Sequence, residues 1–404
     1  MKIHYNVVMK KIYPLAIIGG GASGLFLASA LPAENILLLE RGDRVGKKLS
    51  ATGNGQGNLT NLRASKTPYF SSSDTAKAQK IVQAYDEKTL QQRMQELGLL
   101  LVSDDKGRVY PAGRQASSLT DALRFQLARL DVDIKLSSAV TSIKKQNGLF
   151  VITAQTGEYL AEKVVLCTGG KSAKNFGTDG TAYQLAQAFS HTVTKLYPSL
   201  VQLKTQTQDI KTLKGIRVSP AKVTAKWQGG ERTEEGDIIF TDFGVSGDAI
   251  FRISAFCTDK IEKGAELCID FLPRFSQKEI EQALLQKQTN FPDIPSGELL
   301  CGMLNNQIAR AVAKRAGGEV AGFAGLVKKF TLPITGTLGF DYAQVTKGGI
   351  PLTQVDENLQ SKYVSGLYFA GEILDVDGQC GGYNLQWAYS SAMTVANAVK
   401  KVSK

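Results

Sequence analysis

Histidine is nearly absent from this chain: His4 and His191 are the only two in 404 residues. That scarcity argues against a histidine-built metal centre and against a Ser-His-Asp triad. Cysteine is scarce too. Cys167, Cys257, Cys268, Cys301 and Cys380 are odd in number, widely spaced and form no C-x-x-C. Such spacing excludes a disulfide framework, a zinc ribbon and a redox-active dithiol. No uninterrupted apolar stretch reaches the roughly 18 residues a membrane span needs. The first ten residues, broken by Lys2, His4, Asn6 and Lys10, contain no apolar region ahead of a small-residue cleavage site. A soluble, cytoplasmic protein with no membrane partner is expected. Met9-Lys10-Lys11 reads as an alternative start that leaves the first eight residues as an unpacked tail.

Proline is modest at 11 residues while glycine reaches 40, and 43% of the chain is hydrophobic. This is the composition of a loop-rich globular protein long enough for two or three domains. The formal charge is +11, yet the densest basic groups are doublets such as Lys47-Lys48, Lys144-Lys145, Lys328-Lys329 and Lys400-Lys401. A solvated basic surface is the first reading and affinity for an anionic cofactor the second. A stable nucleic-acid partner is the weakest, because clustered Lys/Arg with stacking aromatics is missing.

The N-terminal third alternates strand and helix: Leu15–Ile18, a helix over Ala22–Leu31, then Asn35–Leu39, which predicts a parallel sheet. Helices follow near Thr75–Tyr85, Lys88–Leu97 and Ser117–Leu130. Short strands between Ile134 and Cys167 form a meander that ends in Thr168-Gly169-Gly170. Residues 193–272 read as strand-rich, and Arg274–Gln288, Cys301–Arg315 and Glu319–Lys328 as amphipathic helices. Strand-like Leu367–Ala370 and a helix over Asn384–Lys400 close the chain. The pattern is α/β. It predicts a split Rossmann-like dinucleotide domain (11–190 and 344–404) around a β-rich insertion (191–272, returning at 330–343) and a small helical cap (273–329).

Gly19-Gly20-Gly21-Ala22-Ser23-Gly24 follows a strand and opens an apolar helix. Gly19 allows the tight turn, Gly21 lets the backbone approach a pyrophosphate, and Gly24 lets the helix lie close to the strand. The helix start then offers N–H groups and a positive dipole end to that pyrophosphate. Glu40 ends the next strand 21 residues after Gly19, where a carboxylate accepts from the adenosine ribose hydroxyls and repels a 2′-phosphate. Arg41 adjoins it in the same loop. The hexapeptide alone does not separate FAD from NAD.

The C-terminal stretch does. Gly366-Leu-Tyr-Phe-Ala370-Gly371-Glu372, then Asp375, Asp377 and Gly381-Gly382-Tyr383-Asn384-Leu385-Gln386-Trp387, describes a buried strand, an acidic loop and a second glycine pair opening a long helix. N–H groups at that helix start suit the pyrimidine carbonyl of a flavin, and the dipole there stabilises negative charge on a reduced ring.

These segments, with Gly46-Lys47-Lys48-Leu49-Ser50-Ala51-Thr52-Gly53-Asn54-Gly55-Gln56-Gly57-Asn58-Leu59-Thr60-Asn61, Gly107–Pro111, Ile239–Gly247 and Val345–Gly349, resemble the three-domain BaiN/YhiN-type flavoproteins, a group that includes an aminoacetone oxidase. The resemblance spans nearly the whole chain. It implies a two-dinucleotide-fold flavoprotein with FAD in the split Rossmann domain and an inserted β-barrel-like and a small helical domain. Ala370-Gly371-Glu372 also resembles, more distantly, the fumarate-reductase type. By this resemblance Glu372 accepts from a ribityl hydroxyl, Val140 or its neighbours edge the adenine, and the Thr168-Gly169 turn returns the chain to the cofactor. Lys48, Leu49, Gly55, Asn58, Thr60, Gly371, Asp375, Gly382, Tyr383, Asn384, Leu385 and Gln386 complete the expected FAD contacts. Asn58, Thr60 and Asn61 serve equally well to shape an Asx-rich turn.

One departure bears on the substrate. Where the family reads G-N-G-R-C-N or G-G-G-R-C-N, this chain has Gly53-Asn54-Gly55-Gln56-Gly57-Asn58, losing a cation and a thiol. That loss argues against an anionic substrate group at this spot. Tyr110, Phe243, Tyr383 and Trp387 are candidates for an aromatic substrate wall and equally for core packing. No catalytic base is assigned. The chain has no second complete strand–GxGxxG–helix unit for NAD(P)H. The expected function is therefore an oxidase of a small, aminoacetone-like amine, with oxygen as acceptor and peroxide as product. An NAD(P)H-fed reductase of an unsaturated or keto substrate and a flavin-dependent RNA-modifying protein are the alternatives.

Overall fold

The computed structural model describes residues 11–32 and 35–401; the tail before Met9 lies outside the described residues. The chain divides into two compact units. One runs up to Leu196 and resumes at Val345, and the other is Tyr197–Gln344.

In the first unit, Ile12–Ile18 lies between two parallel neighbours, Ile36–Leu39 and Gly157–Leu166, with Ile17 level with Leu38 on one side and Val165 on the other. Asp133–Lys135 extends the sheet beyond Ile36–Leu39, and Leu367–Phe369 pairs parallel with Gly157–Leu166. The C-terminal segment thus completes a sheet begun at the N-terminus. All four residues of Ile36–Leu39 are buried, as expected of a parallel strand covered on both faces. Val140–Gln146 and Leu149–Ala154 join Gly157–Leu166 as an antiparallel meander. The meander read as short strands up to Cys167 closes instead on one continuous ten-residue strand, Gly157–Leu166.

Helix Ala22–Ala30 is apolar almost all round and correspondingly buried, from Ser23 to Ser29. It packs on the final helix, Tyr383–Lys401, where Phe26 meets Tyr389 edge-on with ring centroids 5.4 Å apart. A small antiparallel sheet, which sequence periodicity does not announce, is formed by Thr60–Asn61, Arg108–Pro111 and Leu101–Ser103.

His191 is 3% exposed. Its Nε2 lies 2.8 Å from Ser361 Oγ and its Nδ1 3.1 Å from Gln354 Oε1. Burial pushes its pKa below the ordinary histidine value, with the Gln354 bond opposing. The folded state therefore prefers the neutral ring. The stability this contributes is complete above the unfolded value of about 6.5 and is lost as pH falls through it towards the depressed folded value. Unfolding free energy is expected to fall as pH drops below about 7, with a slope of up to about 1.4 kcal/mol per pH unit from this group. His191→Gln should flatten that slope in pH-dependent denaturation; an unaltered slope would contradict the assignment.

The second unit is built on a closed antiparallel barrel in the order Leu203–Thr205, Gly244–Ser246, Gly230–Phe240, Arg217–Trp227, Glu266–Asp270, Phe330–Thr337. Helices Gln277–Asn290, Asn306–Arg315 and Phe323–Lys328 share its apolar core. Ser276 and Glu279 close a capping box at the first of them. The region read as strand-rich contains a helix, Asp248–Cys257. Its buried residues Ala249, Ile250, Ile253 and Cys257 keep the helical spacing, which the β-prone Ile and Phe residues mask in the sequence. No helix among the described residues is long and apolar enough to cross a membrane.

Candidate cofactor and active site

The first glycine loop has the geometry its spacing predicts. Gly19 turns out of the strand at φ +107°, and a Cβ there would lie 2.5 Å from the Cys167 carbonyl oxygen. A Cβ on Gly24 would lie 2.0 Å from the Gly19 carbonyl oxygen. Gly21 differs from both: it caps the helix in an extended conformation (φ −77°), and a Cβ on it would meet nothing within 4 Å. Among the described residues no side chain caps this helix, and its first turn, Ala22 and Ser23 included, carries no acidic residue. Its first N–H groups are left for an anion.

Glu40 stands at the end of the second strand, accepting from Gly20 N–H at 2.7 Å and Gly42 N–H at 2.6 Å. Each carboxylate oxygen keeps a further lone pair for a ribose hydroxyl. The Ser138 amide donates to the Glu40 carbonyl at 2.8 Å, which brings the start of the Val140–Gln146 strand to this end of the loop. Arg41 is engaged elsewhere. Its guanidinium forks onto both oxygens of Asp179, at 2.9 and 3.1 Å. Burial alone would raise the Asp179 carboxyl, but the Arg41 and Thr181 bonds hold it well below the usual range.

Beyond the loop, Thr168 Oγ1 is buried without a hydrogen-bond partner among the described residues, and Gly169 turns at φ +71°. Cys167 is pushed up to about 12 by burial, against a Ser23 hydrogen bond, so it remains a packed thiol. Tyr183 is a second buried hydroxyl without a hydrogen-bond partner among the described residues. Burial first, then the charges of Glu372 and Asp375, push its phenol above the ordinary range. An unpaired buried hydroxyl at Thr168, beside the Gly19 turn, suits the polar atoms of a dinucleotide, since such a group is otherwise costly.

The acidic loop meets a lysine from far away in sequence. Lys48 Nζ lies 2.8 Å from Glu372 Oε2, while Glu372 Oε1 accepts from the Thr346 amide at 2.8 Å. Thr346 Oγ1 in turn accepts from the Lys171 and Ser172 amides at 2.8 and 2.9 Å. Leu49, at the head of a short 3-10 turn, is buried. Gly371 (φ +81°) is held by its N–H to Ser391 Oγ and its carbonyl to the Trp387 indole N–H, at 2.9 and 3.1 Å. Trp387 is thereby a core residue, 1% exposed. Asp375 is buried and accepts from Ser72; burial raises its pKa, with Ser72 and Lys347 opposing.

At the second helix start, a Cβ on Gly382 (φ +102°) would lie 2.4 Å from the Thr60 carbonyl. Asn58, with its amide oriented to satisfy both neighbours, accepts from Gly382 N–H at 3.1 Å and donates to the Thr60 carbonyl at 3.2 Å. Thr60 Oγ1 donates to Gln386 Oε1 at 2.6 Å, and the Gln386 amide donates to Tyr85 O and Ser390 Oγ. Both Thr60 and Gln386 therefore place the helix rather than face its mouth. Tyr383 is buried, with its carbonyl accepting from Tyr69 OH, and Asn384 folds its side chain onto the Gly378 backbone. The backbone amides of Tyr383, Asn384 and Leu385 form the first turn, with Leu385 half-buried. Gly55 (φ +83°) lies open on the adjoining loop.

FAD fits this set of residues. The Gly19–Gly24 loop and its uncapped helix would hold the pyrophosphate, Glu40 the adenosine ribose, and the Tyr383–Leu385 amides the flavin ring. Thr346, Tyr183 and Ser172 escape a reading of the sequence because no local pattern marks a lone hydroxyl. Phe243 belongs to the other unit. No group of His, Cys, Asp and Glu among the described residues has the arrangement of a metal site.

Residues 13–398 match the family described as HI0933-like protein Rossmann domain. A 3-dehydro-bile acid delta(4,6)-reductase of Clostridium scindens is 33% identical, over 95% of this chain and 98% of that protein. A ribosomal RNA dihydrouridine synthase of Haemophilus influenzae is 28% identical, over 95% and 98%. Among solved structures, the open conformation of a flavocytochrome c3 fumarate reductase is 15% identical, with 97% of this chain and 78% of that one covered at a TM-score of 0.49. The chain belongs to the HI0933-like family of Rossmann flavoproteins, the BaiN/YhiN-type group its motifs resemble, and is an FAD-dependent oxidoreductase.

Proposed function

We propose that this protein reduces a carbon–carbon double bond conjugated to a carbonyl in a ring-shaped small molecule, with electrons from NADH or NADPH. The observation that carries this reading is the full-length similarity to two kinds of reductive enzyme. A delta(4,6)-reductase acting on a 3-dehydro-bile acid and a dihydrouridine synthase both add hydrogen across a ring double bond near a carbonyl. Oxidation of an aminoacetone-like amine with release of peroxide is the competing reading. Neither of these relatives carries an amine-oxidising name.

Bound FAD supplies the two-electron transfer. The chain's own part is positional and electrostatic. The Ala22–Ala30 helix start would hold the pyrophosphate, and the Lys48–Glu372 pair orders the loop that follows Gly371. The positive end of the Tyr383–Lys401 helix favours negative charge at the flavin end of the site. With no second complete dinucleotide motif, the nicotinamide donor is a transient visitor. The same chemistry on a uridine ring within RNA is a second reading, favoured by the dihydrouridine synthase relatives and the +11 charge.

The test is anaerobic. NADH or NADPH is expected to bleach the flavin absorption, and a simple cyclic enone such as 2-cyclohexenone to restore it. Flavin left oxidised by both nucleotides, but reduced by aminoacetone with peroxide formed on admitting air, would replace the reductase with the oxidase. Reoxidation by uridine-containing RNA and by no free enone would select the RNA reading.

A further inference from the structure

The loop that lost the family's arginine has a different one beside it. Arg114 Nη1 donates to Gln56 Oε1 at 3.2 Å, and its guanidinium carbon sits 4.4 Å from the Tyr110 ring centroid. The two segments are locked together by backbone. The Ala116 amide donates to the Gly55 carbonyl at 2.8 Å, and a Cβ on Gly57 would lie 2.9 Å from Ala116 Cα. Arg114 also holds a left-handed backbone (φ +48°), fixed by its own N–H to the Pro111 carbonyl at 2.8 Å. A non-glycine residue keeps that conformation only where its surroundings impose it, often at a binding site.

The guanidinium is unlike its neighbours. Arg108 is neutralised by Asp104 through two 2.7 Å contacts, and Arg41 by Asp179. Arg114 touches a neutral amide and an aromatic face, and has no carboxylate partner among the described residues. Among the described residues only one of its donors is engaged, and the pair is exposed, which leaves most of the planar fork open to an anion. The location is next to the second helix start. A Cβ on Gly381 would stand 3.6 Å from the Arg108 side chain, two residues before Tyr110 on the same strand, and the Asn61 amide donates to the Gly381 carbonyl at 3.3 Å. Gln56 lies two residues before Asn58, whose side chain reaches Gly382.

We infer that Arg114, stacked on Tyr110 and braced by Gln56, receives a carboxylate carried by a ring-shaped substrate, and so is a specificity-determining residue. This rests on the proposed reduction of a ring substrate and names the class of that substrate. It reverses the expectation that replacing Arg by Gln at position 56 removes the cation: the charge returns from residue 114. A bland alternative, a solvated arginine lying on a tyrosine, predicts no preference between charged and neutral ligands.

The test separates binding from turnover. Benzoate and benzamide share shape and ring but differ in charge, and each is titrated into the FAD-loaded protein while the flavin absorption band is followed. The wild-type protein is expected to bind benzoate about tenfold or more tightly than benzamide, the size of a charge-assisted hydrogen bond. In Arg114→Gln the preference should shrink to within about twofold at unchanged benzamide affinity, and in Arg114→Lys part of it should survive. The preference should also decline with added salt. Equal binding of the two probes by wild type, no spectral response to benzoate, or a preference that survives Arg114→Gln overturns the inference. No arm requires enone turnover, so failure of the reductase proposal would appear separately.

Discussion

Gly21→Ala is expected to fold as well as the wild-type protein and yet bind FAD far more weakly. The alanine is permitted on both structural counts: the residue is extended at φ −77°, and its Cβ meets nothing within 4 Å. Stability without cofactor should change by no more than about 0.5 kcal/mol, or rise slightly through lost freedom of the unfolded chain. The same methyl group, however, enters the space through which the backbone approaches a pyrophosphate. Overpacking of about 1–3 kcal/mol translates into about fivefold to 150-fold weaker binding. Titration of apoprotein with FAD, beside thermal unfolding of the apoprotein, reads both quantities. Full FAD affinity in Gly21→Ala would mean that no phosphate lies against this loop.

Gly24→Ala should behave in the opposite way. Its Cβ would lie 2.0 Å from the Gly19 carbonyl oxygen and 3.4 Å from Ile17 Cγ2, both belonging to the strand and turn beneath the helix. Backbone cannot rotate aside as a side chain can, so the helix must lift from the sheet and loosen its packing on the final helix. A loss of about 3 kcal/mol or more is expected, with weak flavin retention as a consequence. Thermal unfolding of the apoprotein decides this; a wild-type midpoint would contradict the close approach. The two alanines, three residues apart, thus separate a glycine needed for ligand from one needed for fold.

That pair also shows what a sequence displays and what it hides. The strand, glycine turn and helix from Ile12 to Ala30 obey local rules of periodicity and spacing, as does Glu40 at the next strand end, and all are legible. The second helix start at Gly382 is legible for the same reason. Partnerships that cross the chain are not. Lys48 meets Glu372 across 324 positions, and Thr60 meets Gln386 across 326. Nothing local to Lys48 distinguishes it from Lys47, which pairs with Asp43 four residues away. Arg114 is similar: it lies in an unremarkable Pro-Ala-Gly-Arg turn, and only the fold brings it to Gln56. The helix Asp248–Cys257 failed for a different reason, because β-prone residues filled a pattern of helical period. In the site, glycines were legible because they solve local geometry. Hydroxyls such as Thr346 and Tyr183 were not, since their meaning is set by neighbours distant in sequence.

The central claim is that both ends of the chain build one FAD site, with the pyrophosphate on the first glycine loop and the flavin ring at the second helix start. A structure of the FAD-loaded protein tests it most directly. The account predicts the pyrophosphate against the backbone amides of Gly21, Ala22 and Ser23, and the pyrimidine edge of the flavin against those of Tyr383 to Leu385. An FAD bound with its pyrophosphate away from Gly21, or with its ring remote from Gly382, would contradict it.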